Sequence, residues 1–270
     1  MPSAIGANQE GHEIRTPEIT NKPFDLVINW EGGRHHAMRD KAAGFCYVQD
    51  VGLAIDLLRR RGCVRYQTVH SPSESVKYIP QTPQRRPKIL YLDLDIHYGD
   101  GVAAACRHPY RYSYPATKQQ LKHPKPTTLT LSLHHHARGF YPANPEGDLT
   151  PKFTPSPFNL SVPLEAGASA RTYSRLMQTC VEPIKSAFDP DYVVLLLGMD
   201  ALHGDELVDG AGNWSLTGEG GVAWTCARIR DWKLRTLVLG GGGYHRLNAA
   251  RGWACATGTF VSDLFSLLCR

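Results

Sequence analysis

The 270-residue sequence contains no Cys-x-x-Cys pair. Its seven cysteines, Cys46, Cys63, Cys106, Cys180, Cys226, Cys255 and Cys269, are odd in number and far apart. That spacing suggests neither a disulfide framework nor a zinc finger, and makes a reducing compartment the expectation. No apolar run approaches the ~20 residues that span a bilayer, so the chain is read as soluble, with no membrane partner. The segment Met1–Glu18 is polar and lacks the apolar core of a secretory leader. An internal repeat is missing too. So is any helix-turn-helix, RNP or finger pattern, which leaves no motif for sequence-specific DNA binding. The run Gly240–Gly243 has neither the GxGxxG spacing nor the lysine of a phosphate-binding loop.

What is present suffices for a core. The chain is 42% hydrophobic and 20% charged, which fits one α/β domain. Its net charge of +5 is concentrated in Arg59–Arg61, Arg85-Arg86 and the Arg107–Lys125 segment. These runs read as solvated surface and insertion loops.

Four short Val/Ile/Leu runs end in residues that bind metals or move protons. Leu26–Trp30 leads to His35 and His36, and Ile89–Leu92 leads to Asp93, Asp95 and His97. Tyr192–Leu197 leads to Asp200, and Leu237–Leu239 leads through four glycines to Tyr244. Continuous apolar runs of this length are how strands buried on both faces of a parallel sheet read. Ligands in open α/β sheets sit at the carboxyl edge of the strands, so these residues are expected to share one edge. Thr128–Leu133 is a further strand candidate.

Helices are predicted between the strands. Asp50–Arg61 has helical spacing at Val51, Ala54, Leu57 and Leu58, with Gly62 as a stop. Ser169–Phe188 carries Tyr173, Leu176, Cys180, Ile184 and Phe188 on one stripe, with a local kink at Pro183. Thr217–Trp232 is a third helix, with Thr217 as cap and Glu219 in its first turn. Residues 1–23 form a polar lead-in to a domain over 24–270. Within that domain, 64–87 and 109–126 read as irregular insertions.

Asp93, Asp95 and His97 alternate, so they project to one side while the strand lasts. Carboxylates that share a buried face repel unless a cation or proton neutralises them. An added imidazole suits a catalytic metal, and Asp200 from another strand end completes a three-ligand set. His35 and His36 cannot both stay charged cheaply, so one is free to act as a base beside its neighbour. Asp93 and Asp100 are the acids available to orient them. Whether one of the two histidines is itself a metal ligand stays open at this stage. The glycines before Tyr244 allow close backbone approach and let the tyrosine reach a substrate oxygen. His134, His135 and His136 are neighbours on a strand and face opposite ways, so they are read as surface or supporting residues.

The segments WEGGRHHAMRDKAAGFCYVQD (30–50), YLDLDIHYGDGV (91–102), LSLHHHARGFYP (131–142), GMDALHGDEL (198–207) and GGGGYHRLNAARGW (240–253) resemble the zinc-dependent histone deacetylases of class I type. The resemblance implies an arginase/deacetylase fold, a three-layer α/β/α sandwich around an eight-stranded parallel sheet. It implies Asp95, His97 and Asp200 as Zn2+ ligands, a set that also accepts Fe2+. It implies His36 as general base with Asp100, His35 with Asp93 as its electrostatic partner, and Tyr244 as the group that polarises the amide carbonyl. Gly44, Phe45, Tyr141 and Leu207 then line an acyl-lysine tunnel. Asp93, Asp95, His97, Ser132 and Leu133 fit the family's inner K+ site. The implied substrates are acetylated histone tails or other acetyl-lysine proteins, in the nucleus and also the cytoplasm. Transcriptional repression within a corepressor complex is the implied role.

Two other readings stay open: a deacetylase of small acetylamines such as polyamines, and a truncated scaffold without turnover. This chain departs from the pattern at Tyr98, Tyr141, His203 and His245. It also lacks the family's N-terminal section and C-terminal end, so a partial domain with an uncovered sheet edge is expected.

Overall fold

The computed structural model describes residues 25–61, 66–70, 76–80, 85–107, 127–148, 157–208 and 210–261. In chain order the elements are β1 (Leu26–Asn29), α1 (Asp50–Arg61), β2 (Tyr66–His70), β3 (Val76–Pro80), β4 (Ile89–Asp93) and α2 (Asp100–Ala105). Next come β5 (Thr128–His135), β6 (Asn159–Leu164), β7 (Ala168–Ser169), α3 (Ala170–Leu176), a π-turn (Met177–Val181) and α4 (Glu182–Phe188). The chain continues with β8 (Tyr192–Leu196), β9 (Gly212–Asn213), α5 (Val222–Asp231), β10 (Arg235–Leu239) and α6 (Arg246–Val261). The lead-in 1–23 and the stretch 109–126 lie outside the described residues.

Six strands form one sheet in the order β1-β10-β8-β4-β5-β6, and every neighbouring pair is parallel. The resemblance implies eight strands in this sheet; six are found in it among the described residues. Alternate side chains divide between two apolar layers. Ile89, Tyr91, Val194 and Leu196 pack with Val51 and Ile55 of α1 and Val102 of α2. Leu90, Leu92, Leu131, Val193 and Leu195 pack with Tyr173 of α3, Met177 and Val181 of the π-turn, and residues of α5 and α6. The three-layer α/β/α arrangement follows from that division.

The topology fixes the place of the site. After β4 the chain moves outward through β5 and β6, whereas after β8 it moves the other way to β10. The loops leaving β4 and β8 therefore diverge, and a crevice opens between their carboxyl ends. β1 closes one side of the sheet as an edge strand, and Val27 on it is 47% exposed.

Several local expectations are corrected. The buried face of α1 is Val51 and Ile55 with Leu58 packed beside them, while Leu57 points outward at 55% exposure. The 64–87 stretch is not wholly irregular, because β2 and β3 pair antiparallel within it. The helix after Ser169 is split, since Pro183 has no N–H to donate to the preceding turn. The wide turn over Met177–Val181 precedes it, and α4 begins with Pro183 in its first turn. That turn rotates the helix, so Met177 and Val181 join the core while Cys180 is only partly buried. Thr217 does not cap α5, which begins five residues later. Gly218 and Gly220 adopt left-handed φ values of 83° and 79° and hold a turn there. Glu219 accepts a hydrogen bond from Ser174 Oγ at 2.8 Å instead. β6 and α6 were not foreseen, since neither carries a clean periodic pattern.

Candidate active site at the carboxyl edge of the sheet

β4 ends at Asp93, so strand alternation does not carry Asp95 and His97. A bend brings them in, held by hydrogen bonds in sequence. Asp95 N–H donates to Asp93 Oδ1 (3.1 Å), His97 N–H to Asp95 Oδ1 (2.9 Å), and Ile96 N–H to Asp200 Oδ1 (3.1 Å). The result splits the three residues: Asp93 turns toward His35, while Asp95 and His97 turn toward Asp200.

Asp95, His97 and Asp200 are buried and place ligand atoms within 4.8 Å of one another. His97 Nδ1 lies 3.1 Å from Asp95 Oδ1 and 3.0 Å from Asp200 Oδ2. Two carboxylates this close and this buried repel unless a cation or a proton neutralises them. Burial and the Asp95 charge push the Asp200 carboxyl up to about 7. Burial would lower His97, yet Asp200 and Asp95 outweigh it and hold the ring up to about 10. One imidazole nitrogen and two carboxylates are a donor set that fits a divalent transition metal. The group can hold a metal ion.

His35 and His36 sit beside this group with ring centroids 4.0 Å apart. His35 Nδ1 is 3.0 Å from Asp93 Oδ2, which also accepts from the Tyr91 hydroxyl at 2.7 Å. His36 Nδ1 is 2.9 Å from Asp100 Oδ1. Asp100 reaches it because α2 presses on the histidine segment, with Val102 N–H donating to the His35 carbonyl at 3.1 Å. That approach requires Gly101, since a Cβ there would collide with the Ala37 and His35 carbonyl oxygens. Burial lowers His35, but the Asp93 and Asp95 charges prevail and hold it up to about 9. His36 moves the other way, lowered by burial and by the His35 charge despite its Asp100 bond. One ring is a cation and its neighbour a neutral base.

Tyr244 follows the glycine loop as expected, and the loop does approach closely. Gly242 N–H donates to Asp95 Oδ2 at 2.7 Å, and Met199 N–H donates to the Gly242 carbonyl at 2.7 Å. Burial together with Asp95 and Asp200 raises the Tyr244 pKa strongly, so its hydroxyl remains a donor. A cavity of about 850 Å3 joins these groups, lined by His36, His97 and Tyr244 and by Gly44, Phe45, Tyr141 and Leu207. Its outer walls are aromatic. Phe45 meets Tyr244 edge-on with centroids 5.8 Å apart, and Tyr141 meets His36 at 4.9 Å. Trp30–Arg34 also line it.

The three consecutive histidines stay out of the metal group, but His134 and His135 are buried rather than superficial. His134 bonds Ser132 Oγ (2.9 Å) and the Gly147 carbonyl (2.8 Å), with Tyr98 packed against its ring at 4.7 Å. His135 bonds the Leu164 carbonyl (2.9 Å) and meets Phe140, which stacks on His97 at 5.1 Å. Ser132 pairs with Asp93 across neighbouring strands, and Leu133 is in the core. His203 is exposed; His245 Nδ1 accepts from Asn248 N–H at 3.2 Å. Sequence reasoning missed Phe140, Tyr91 and Asp205. Asp205 carried no signal beyond being an acid five residues after Asp200.

The chain matches the family described as "Histone deacetylase domain" over residues 11–69 and 75–260. It is 32% identical to "Histone deacetylase 8" of Danio rerio over 244 residues, covering 90% of this chain and 52% of that protein. It is 30% identical to "Histone deacetylase 8" of Xenopus laevis over 241 residues, covering 89% of this chain and 60% of that protein. The chain thus spans between half and three-fifths of the length of these curated relatives. With the domain matched on both sides of residues 70–74 and two histidine–aspartate pairs beside an Asp-His-Asp group, the chain belongs to the histone deacetylase family.

Proposed function

We propose that the chain is a zinc-dependent hydrolase that removes the acetyl group from N-acetyl-lysine in histones or other proteins. The observation that carries this reading is the convergence of a neutral histidine base, a metal-ligand triad and a tyrosine hydroxyl on one aromatic-walled cavity. Asp95, His97 and Asp200 would hold the zinc. Bound there, it supplies Lewis acidity to the acyl carbonyl and to the attacking water.

The chain's own groups do the rest. With its Nδ1–H given to Asp100, His36 presents an unprotonated Nε2 to take the water proton. The His35 cation, locked to Asp93, stabilises the negative charge that develops beside it. Tyr244 donates its hydroxyl to the carbonyl oxygen as that oxygen gains charge. His36 then passes that proton to the lysine amine as the amide C–N bond breaks, which yields acetate and free lysine. The acyl-lysine stem, four methylenes long, suits the cavity that Phe45 and Tyr141 line, where apolar contact is worth about 0.8 kcal/mol per buried CH2.

A K+ ion near Asp93 and Ser132 belongs to this reading, supported by the register that sets those two residues side by side. A nuclear, and also cytoplasmic, setting with corepressor partners and a role in transcriptional repression rests on the family alone. A small-acetylamine substrate is the chief rival, so the deciding assay compares an acetyl-lysine peptide with N-acetylspermidine. Preference for the peptide by tenfold or more in kcat/KM is expected, which is about 1.4 kcal/mol of discrimination. Equal or reversed preference would replace the protein substrate with the small amine.

A further inference from the structure

Tyr244 stands at the end of four glycines, so no side chain within that run fixes its position. Two carboxylates anchor the loop instead. Asp95 takes the Gly242 N–H within the run. Just past the run Asp205, buried at 4% exposure, takes two adjacent N–H groups on Oδ2: Tyr244 at 2.7 Å and His245 at 3.0 Å. Its second oxygen, Oδ1, accepts the Leu207 N–H at 3.2 Å. One buried side chain thereby ties the tunnel-wall residue Leu207 to the backbone of the tyrosine that faces the acyl carbonyl.

Resting on the deacetylase reading above, we infer that Asp205 is a positioning residue. It holds the Tyr244 hydroxyl at the place where the carbonyl oxygen gains charge. A purely structural explanation exists as well. Asp205 sits next to the start of α6, where an acid stabilises the helix N-terminus. The two roles differ in what they couple to. A structural acid lowers activity whatever stands at position 244. A positioning acid matters only while Tyr244 has a hydroxyl to position.

The test is a double-mutant cycle in zinc-reconstituted protein with an acetyl-lysine peptide: wild type, Asp205→Ala, Tyr244→Phe and the pair. Asp205→Ala is expected to lower kcat about ten- to a hundredfold through misplacement of the hydroxyl. Tyr244→Phe is expected to lower it about a hundred- to a thousandfold. The pair should fall no more than about twofold below Tyr244→Phe alone, the non-additivity of groups that act as a unit. Losses that multiply, or an Asp205→Ala kcat equal to wild type, would overturn the inference. Should Asp205→Ala not fold, the near-isosteric Asp205→Asn takes its place in the cycle. If that variant also fails to fold, the acid is structural and the inference falls. Absence of turnover in folded, zinc-loaded wild type would instead remove the deacetylase reading itself.

Discussion

His35 and His36 are adjacent in the chain, yet their partners drive them to opposite protonation states. Asp93 and Asp95 overcome burial at His35 and hold it charged up to about 9. Burial and that neighbouring cation lower His36. The sign of the pH dependence follows. A base works unprotonated, so activity falls as pH drops through the lowered His36 value, below the ordinary histidine 6.5. It falls again as His35 loses its proton near 9. A bell in kcat/KM with those limbs is expected. His35→Ala removes the cation that disfavours protonation of His36, so the acid limb should move to higher pH. A pH profile of the variant with an unmoved acid limb would contradict this coupling.

Among the elements, α2 is the one that sets the base, because its first turn carries Asp100 beneath His36. Gly101 permits the contact, so Gly101→Ala must push α2 away from the His35–Ala37 backbone. A destabilisation of about 1–3 kcal/mol is expected from overpacking, with a loss of kcat beyond what stability explains. Thermal unfolding and turnover together check it; wild-type values in both would show that the turn yields freely. β8 is the central support of the other wall, and Leu195 on it is fully buried. Leu195→Ala should cost about 2–5 kcal/mol in denaturant unfolding. The strands around it were legible in sequence because each is a short apolar run that ends at a functional residue. β6 was not, since its partly buried edge position gives it no such pattern. The π-turn was hidden too. It answers to Pro183, and a periodic reading of the stripe cannot show how a helix rewinds to accommodate a missing N–H.

For the whole molecule, the candidate site lies at one switch point in one sheet. The groups that meet there come from the ends of β1, β4, β8 and β10, separated in the chain by up to 209 positions between His35 and Tyr244. Their convergence was legible because a parallel sheet collects its strand ends at one edge. The turn of Asp95 and His97 toward Asp200, and the place of Asp205, depend on a bend and a buried turn that spacing does not encode. A metal at Asp95, His97 and Asp200 should stabilise the fold as well as the reaction, since it neutralises buried acids. Chelation is therefore expected to lower the unfolding temperature and abolish turnover, with both restored by Zn2+ or Fe2+. An unfolding temperature indifferent to chelator would remove the metal from this account. The most direct measurement is acetate release from an acetyl-lysine peptide by the zinc-reconstituted chain, run beside His36→Ala. Turnover in the wild type that falls about a hundredfold or more in the variant is the expected result. Equal rates in the two, or none in a folded, zinc-loaded wild type, would contradict it.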